Sequence, residues 1–188
     1  MDSIVKTNHY WQNCNDFKMN GHGVVGRRKW LMKIINLYNP KSVLEIGCYD
    51  GTNLRLLHQL NPKIKLTGID INVSAIERAK VLLPEAKFEC GNMYEIDKFF
   101  KEKFDLVFTR GVMIYIFPTE AKNFIDKIIS LSRKTIVHCE HHSEKFIERQ
   151  YNDNSTVGRR SSNYLELYRN YDRRIYSRTR DSSGGGHH

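Results

Sequence analysis

Val43-Leu44-Glu45-Ile46-Gly47-Cys48-Tyr49-Asp50-Gly51 is an apolar run carrying one acidic residue that passes straight into a glycine turn, and Asn53-Leu54-Arg55-Leu56-Leu57 behind it repeats at helical spacing. The stretch predicts a strand, a tight turn and the start of a helix. Such a turn brings main-chain N–H groups up to a polar ligand, and glycine at 47 and 51 permits approach where a Cβ would collide. Glu45, Gly47, Cys48, Tyr49 and Gly51 are therefore candidate cofactor residues. An ordinary strand–turn–helix connection has the same look, so the next strand tip has to decide.

That tip is Leu66-Thr67-Gly68-Ile69-Asp70-Ile71-Asn72, an apolar strand ending in a carboxylate about twenty residues on, where ribose hydroxyls are gripped in nucleotide-binding α/β folds. An ionised carboxylate accepts both hydroxyl hydrogens of a ribose more strongly than Asn or Ser. Asn72 is a competent cap for a helix starting at Val73, which leaves Asp70, with Ile71 beside it, for the ligand. The glycines read G-x-x-x-G with Tyr49 in the middle, and no third glycine follows. A dinucleotide needs G-x-G-x-x-G to seat its pyrophosphate, so a ligand without pyrophosphate fits better.

S-adenosylmethionine is such a ligand, and at this point the chain resembles the class I S-adenosylmethionine-dependent methyltransferases. Phe88-Glu89-Cys90-Gly91-Asn92-Met93 is similar to that superfamily's third strand end, which implies Asn92 at the adenine edge and Met93 against its ring. Asn stands where Asp is usual, and it can still hydrogen-bond an adenine. The segment Lys103 to Ile116 is similar to the fourth strand and the loop behind it, which brings in Thr109 and Arg110. Thr109 to Pro118, T-R-G-V-x-I-x-I-x-P, resembles small methyltransferases found with pseudaminic acid biosynthesis and related surface-sugar genes, and the likeness runs over roughly residues 8 to 140. Tyr10-Trp11 echoes that group's entry segment. The chain departs from the group at Tyr49, where a motif glycine is missing, and beyond Glu140.

Strands are predicted at 42–46, 64–69, 86–89, 104–109 and 134–140, with helices near 28–38, 51–60, 73–83, 94–101 and 119–131. Strand alternating with helix gives an α/β, doubly wound, mostly parallel, Rossmann-like sheet with a shortened C-terminal part. Beyond it, residues 144–149 read as a turn or two of helix, 152–162 as loop, 164–171 as apolar at near-helical spacing, and 174–179 as a last strand.

With 188 residues and 40% hydrophobic composition the chain can bury one core. The expected organisation is an N-terminal lid or helix over 1–27, a single methyltransferase domain over 28–181, and a linker and tag remnant over 182–188. No apolar run of about eighteen residues offers a membrane span, and the N-terminus lacks the build of a secretory signal, so a cytoplasmic protein is expected. Cys14, Cys48, Cys90 and Cys139 show no C-x-x-C pairing, which argues against zinc and a disulfide framework. The net charge of +9 comes in small groups such as Arg27-Arg28-Lys29 and Arg159-Arg160, without aromatic interleaving. That distribution favours a solvated basic surface or an anionic small-molecule substrate over a nucleic-acid groove, which stays possible. Nothing in the pattern fixes an oligomeric state.

Ligands of open α/β sheets sit at the carboxyl ends of the strands, which selects Tyr115 and the segment His138-Cys139-Glu140-His141-His142 for chemistry. In an extended segment only His138, Glu140 and His142 share a face, and without a fourth partner no metal is assigned. Glu140 or His141 is the candidate general base, with Tyr115 beside them. Arg28 is within reach of the carboxylate of a methionine tail, and Tyr10 and Trp11 are candidates to close over the sulfonium. The expected activity is methyl transfer to an oxygen or nitrogen of a small polar metabolite, anionic or sugar-like. The alternatives are an RNA or protein methyltransferase using the basic surface, or a non-catalytic nucleotide-binding protein.

Overall fold

The computed structural model describes residues 3–14, 22–141, 147–150, 158–161, 163–164, 166–169 and 171. In chain order the elements are α1 Ser3–Asn13, α2 His22–Leu37, β1 Ser42–Ile46, α3 Thr52–Leu60, β2 Lys65–Asp70, α4 Val73–Leu82, β3 Lys87–Cys90, α5 Ile96–Phe99, β4 Phe104–Arg110, α6 Pro118–Leu131 and β5 Ser132–Cys139. The five strands pair in parallel in the order β3-β2-β1-β4-β5. The chain thus winds outward from β1 to β3, returns, and winds the other way from β4 to β5. The reversal lies between β1 and β4, where an open α/β sheet leaves a crevice at its carboxyl edge.

Alternation along the strands explains the two layers. Val43 joins a buried cluster with Leu31, Met32 and Ile35 of α2, Leu54 and Leu57 of α3 and Ile76 and Ala79 of α4. Leu44 and Ile46, one residue out of phase, join Ile96 of α5 and Phe124, Ile125 and Ile128 of α6 on the other face. A strand covered on both faces needs apolar residues at successive positions, which is why β1 and β4 read as continuous runs. Each of these side chains contributes about 1.5–3 kcal/mol by leaving water.

The helix ends follow local chemistry. Asn39 takes a left-handed conformation, φ 47°, just past α2, and Pro40 follows it. Asn72 Oδ1 accepts the Ala75 N–H at 2.8 Å and caps α4. Pro118 opens α6, where its missing N–H costs nothing. The predicted helix at 94–101 is instead a 3-10 turn, Met93–Glu95, followed by the single turn of α5, because Phe100 is extended and turns inward to meet Phe104 edge-on.

The C-terminal prediction needs correction. Ile147–Gln150 is a strand, β6, and Gly158–Ser161 a second, β7, the two paired antiparallel with Ile147 opposite Ser161. Helix had been expected for the first and loop for the second. Four-residue strands carry too short a period to announce themselves, and their pairing is set by each other. β7 runs beside the 3-10 turn Met113–Tyr115. The expected last strand at 174–179 lies outside the described residues.

Candidate active site

The turn after β1 is folded by left-handed residues at alternate positions: Gly47 at φ 74°, Tyr49 at φ 48° and Gly51 at φ 71°. Gly47 N–H and Cys48 N–H both donate to Ile69 O, at 2.8 and 3.1 Å, which holds the turn against the tip of β2. Tyr49, where glycine would be at ease, is held left-handed by its surroundings. Its N–H donates to Asp70 Oδ2 at 2.8 Å, and the Asn72 N–H donates to Asp70 Oδ1 at 2.9 Å. Asn72 does cap α4 as expected, yet Asp70 is not left unengaged: its carboxylate already accepts these main-chain N–H groups, and the Ile71 backbone N–H acts on it as well. Burial raises the Asp70 pKa, and the N–H bonds from Asn72 and Tyr49 oppose that shift.

Around this carboxylate lies an open cleft of about 760 Å³, counted with its mouth. Gly47, Tyr49, Asp70 and Ile71 line it from the first two strand tips, and Gly91, Asn92 and Met93 from the third. Arg110, Gly111, Val112 and Tyr115 line it from the end of β4 and the loop beyond. Thr7, Asn8 and Trp11 of α1 lie across it, with the Trp11 ring 4.9 Å from the Tyr115 ring in an edge-to-face pair. Asn92 commits its Oδ1 to the Tyr94 N–H at 2.9 Å, so the amide nitrogen is the group it can offer an adenine. Thr7 and Asn8 had no sequence signal, since a short polar helix does not disclose what it covers.

Other expected cofactor residues sit behind this lining. Glu45 is fully buried, accepting from Asn53 Nδ2 at 2.6 Å through Oε1, while its Oε2 has no partner among the described residues. Burial pushes its pKa up to about 8, against the pull of Asn53 and Arg28. Arg28 Nη1 donates to Asn53 Oδ1 at 3.4 Å, and burial and then Arg110 lower the Arg28 pKa. Cys48 is packed in the core, its thiol pKa well raised by burial. Gly51 is buried against Phe88, where an added Cβ would meet the ring at 2.9 Å.

The expected catalytic residues separate. Tyr115 lines the cleft, His141 is exposed, and Glu140 lies behind the loop that follows β4. Glu140 Oε1 accepts the Thr109 hydroxyl at 2.7 Å and the Val112 N–H at 3.1 Å, and the Met113 and Gly111 backbone N–H groups also act on this carboxylate. Burial raises the Glu140 pKa to about 7. Thr109 Oγ1 also meets His138 Nδ1 at 2.7 Å, and His138 Nε2 meets the Tyr168 hydroxyl at 2.5 Å. Burial lowers the His138 pKa to about 4, so the ring is neutral at pH 7 and carries one proton. With Thr109 donating to Glu140, that proton belongs on Nδ1, and Tyr168 donates to Nε2. Among the described residues no group of three His, Cys, Asp or Glu side chains converges on a metal position, and His142 lies outside them.

Residues 43–135 match the family described as a methyltransferase domain. Over 100 residues, 52% of this chain and 37% of the relative, the sequence is 35% identical to malonyl-[acyl-carrier protein] O-methyltransferase of Anoxybacillus flavithermus. The chain thus spans well under two thirds of that relative. The solved plantazolicin methyltransferase BamL, in complex with a triazolic desmethylPZN analog and SAH, is 26% identical with a TM-score of 0.53 over 69% of this chain and 53% of that one. The DhpI–SAH complex superimposes at a TM-score of 0.63, covering 88% of this chain and 83% of that one at 14% identity. Fold and matched stretch together define a class I S-adenosylmethionine-dependent methyltransferase domain. Its cofactor is S-adenosylmethionine. No described helix is long and apolar enough to cross a membrane.

Proposed function

We propose that the protein uses this domain to methylate an oxygen or nitrogen of a small polar metabolite, anionic or sugar-like. The observation that carries the reading is the single cleft in which the Gly47 turn, the Asp70 carboxylate and the Asn92–Met93 tip meet the Trp11–Tyr115 aromatic pair. The Asp70 carboxylate, lining the cleft, is the acceptor for a ribose hydroxyl. Met93 and Ile71 supply apolar surface for a base, and Asn92 supplies an amide nitrogen. Glu45 Oε2, buried without a partner, and Arg28 suit the ammonium and carboxylate of an amino acid tail. The bound cofactor supplies an electrophilic methyl group on a sulfonium. Alignment and exclusion of water are then what the chain contributes, through the α1 residues across the cleft and Tyr115 beside it.

Among the described residues Arg110 is the cation that lines the cleft, which favours an anionic acceptor. The +9 net charge points the same way, and the relative from Anoxybacillus flavithermus is named for O-methylation of malonyl-[acyl-carrier protein]. The sugar-like part of the reading rests on the likeness of Thr109–Pro118 to methyltransferases found with pseudaminic acid genes. Tyr115, within the cleft, is the side chain assigned to the acceptor; Glu140 and His141 stand outside the lining. Calorimetry with S-adenosylmethionine, S-adenosylhomocysteine and NAD tests the cofactor half. Binding of the first two and not the third is expected, and no binding of the first two would overturn it. Transfer of labelled methyl to a panel of carboxylates, amino sugars, RNA and peptides tests the acceptor half.

A further inference from the structure

Tyr49 and Asn72 each donate a main-chain N–H to Asp70, and both of those residues send their side chains to the end of α1. Asn72 Nδ2 donates to Trp11 O at 2.8 Å and to Cys14 O at 3.0 Å. The Tyr49 hydroxyl donates to Cys14 O at 3.3 Å and accepts from Arg78 Nη2 at 3.3 Å. Trp11 O lies in the last turn of α1, where it also accepts the Cys14 N–H at 3.5 Å, and Cys14 O lies just past the end of the helix. One side of the Asn72 amide therefore caps α4 and the other caps α1, and the residue is fully buried between them.

This double use explains the residue type. Ser, Thr or Asp at position 72 would cap α4 equally well, but none combines that acceptor with an amide nitrogen that donates twice. Tyr49 is costly in a left-handed turn, and its hydroxyl returns a second bond to α1. The α1 residues Thr7, Asn8 and Trp11 that cross the cleft are held there through the same two residues that hold the Asp70 carboxylate.

We infer that Asn72, assisted by Tyr49, is a positioning residue that couples occupancy of the Asp70 hollow to closure of α1 over the cofactor, so that release of the demethylated product is governed by this latch. The inference rests on the cofactor reading above. A ligand hydroxyl on Asp70 draws the carboxylate, and with it the Tyr49 and Asn72 main chain, toward one fixed position. The side chains of both then present their donors to α1 in register.

The test uses the Trp30→Phe chain, in which Trp11 is the remaining tryptophan, and compares it with added Asn72→Ser and Tyr49→Phe. Ser retains the α4 cap, so the variant is expected to fold, and circular dichroism checks that it does. Stopped-flow dissociation of S-adenosylhomocysteine is expected to quicken about tenfold in Asn72→Ser, the loss of one or two net hydrogen bonds, and less in Tyr49→Phe. Trp11 emission in the free protein is expected to shift to the red in both as the ring leaves Tyr115. Unchanged dissociation and emission in Asn72→Ser would overturn the latch while leaving the cofactor assignment intact. Failure of the parent chain to bind S-adenosylhomocysteine would overturn both.

Discussion

A methyl group built on Gly47 would stand 2.4 Å from Val112 Cγ2. The first turn of the cofactor side and the loop of the acceptor side are thus in contact through a position that has no side chain. Gly47→Ala meets two penalties, the clash and a φ of 74° that strains any Cβ. Chemical denaturation is expected to show a loss of about 1–3 kcal/mol, with weaker S-adenosylhomocysteine binding as Val112 is driven into the cleft. Adding Val112→Ala removes the clash and leaves the strain, so the double variant is expected to recover part of the loss. A double variant no better than Gly47→Ala would show that the contact is not the cause.

Asp70 sits at the meeting point of cofactor and fold. Asp70→Ala deletes the acceptor offered to the ribose and also releases the Tyr49 and Asn72 N–H groups. Calorimetry is expected to record about 1–3 kcal/mol of lost cofactor affinity, the scale of charge-assisted hydrogen bonds. Affinity equal to that of the parent would remove Asp70 from the ribose role.

The main sheet was legible because its cues are local. The apolar runs at 43–46 and 104–109, the Asn39-Pro40 stop, the Asn72 cap and Pro118 each act within a few residues, and the strand and helix pattern they dictate is the one observed. β6 and β7 were not legible, since what makes Ile147–Gln150 a strand is Gly158–Ser161 opposite it. In the cleft, Gly47 and Asp70 could be read from their position at strand tips, while Asn92 and Arg110 entered through the resemblance of their segments to the third and fourth strand ends of class I methyltransferases. The placement of Glu140 could not: a carboxylate at a strand end can aim at a ligand or at N–H groups of a neighbouring loop, and the Val112 N–H is invisible in the sequence. The reach of Asn72 to Trp11 is of the same kind, a tertiary contact between residues far apart in the chain.

Cofactor binding is expected to release protons. In the free protein burial holds the Glu45 pKa at about 8, so the carboxyl is mostly protonated at pH 7. An ammonium group brought to its partnerless Oε2 favours the carboxylate and lowers that pKa. Calorimetry at pH 7 in buffers of different ionisation enthalpy is expected to reveal up to about one proton released per cofactor, and Glu45→Gln is expected to abolish it. Buffer-independent heat in the parent protein would separate Glu45 from the cofactor tail.

The Glu140–Thr109–His138–Tyr168 chain should leave its mark on stability against pH. Glu140 has a folded-state pKa raised from 4.5 to about 7, so its contribution is fully present below pH 4.5 and is lost as pH rises to about 7. His138 is depressed from 6.5 to about 4, so its contribution is present above pH 6.5 and lost as pH falls toward 4. Glu140→Gln keeps an oxygen for Thr109 and Val112 while removing the titration. Relative to this variant, the parent is expected to lose stability between pH 4.5 and about pH 7, by up to about 3 kcal/mol. Because the Val112 N–H is tied to Glu140 and Val112 lines the cleft, the same interval is expected to raise the acceptor KM of the parent more than its kcat. A general base in Glu140 would do the reverse, since ionisation above pH 7 would raise kcat and Glu140→Gln would abolish turnover. Melting curves and pH–rate profiles of the two proteins, measured side by side, therefore decide whether this carboxylate holds the loop or takes the proton.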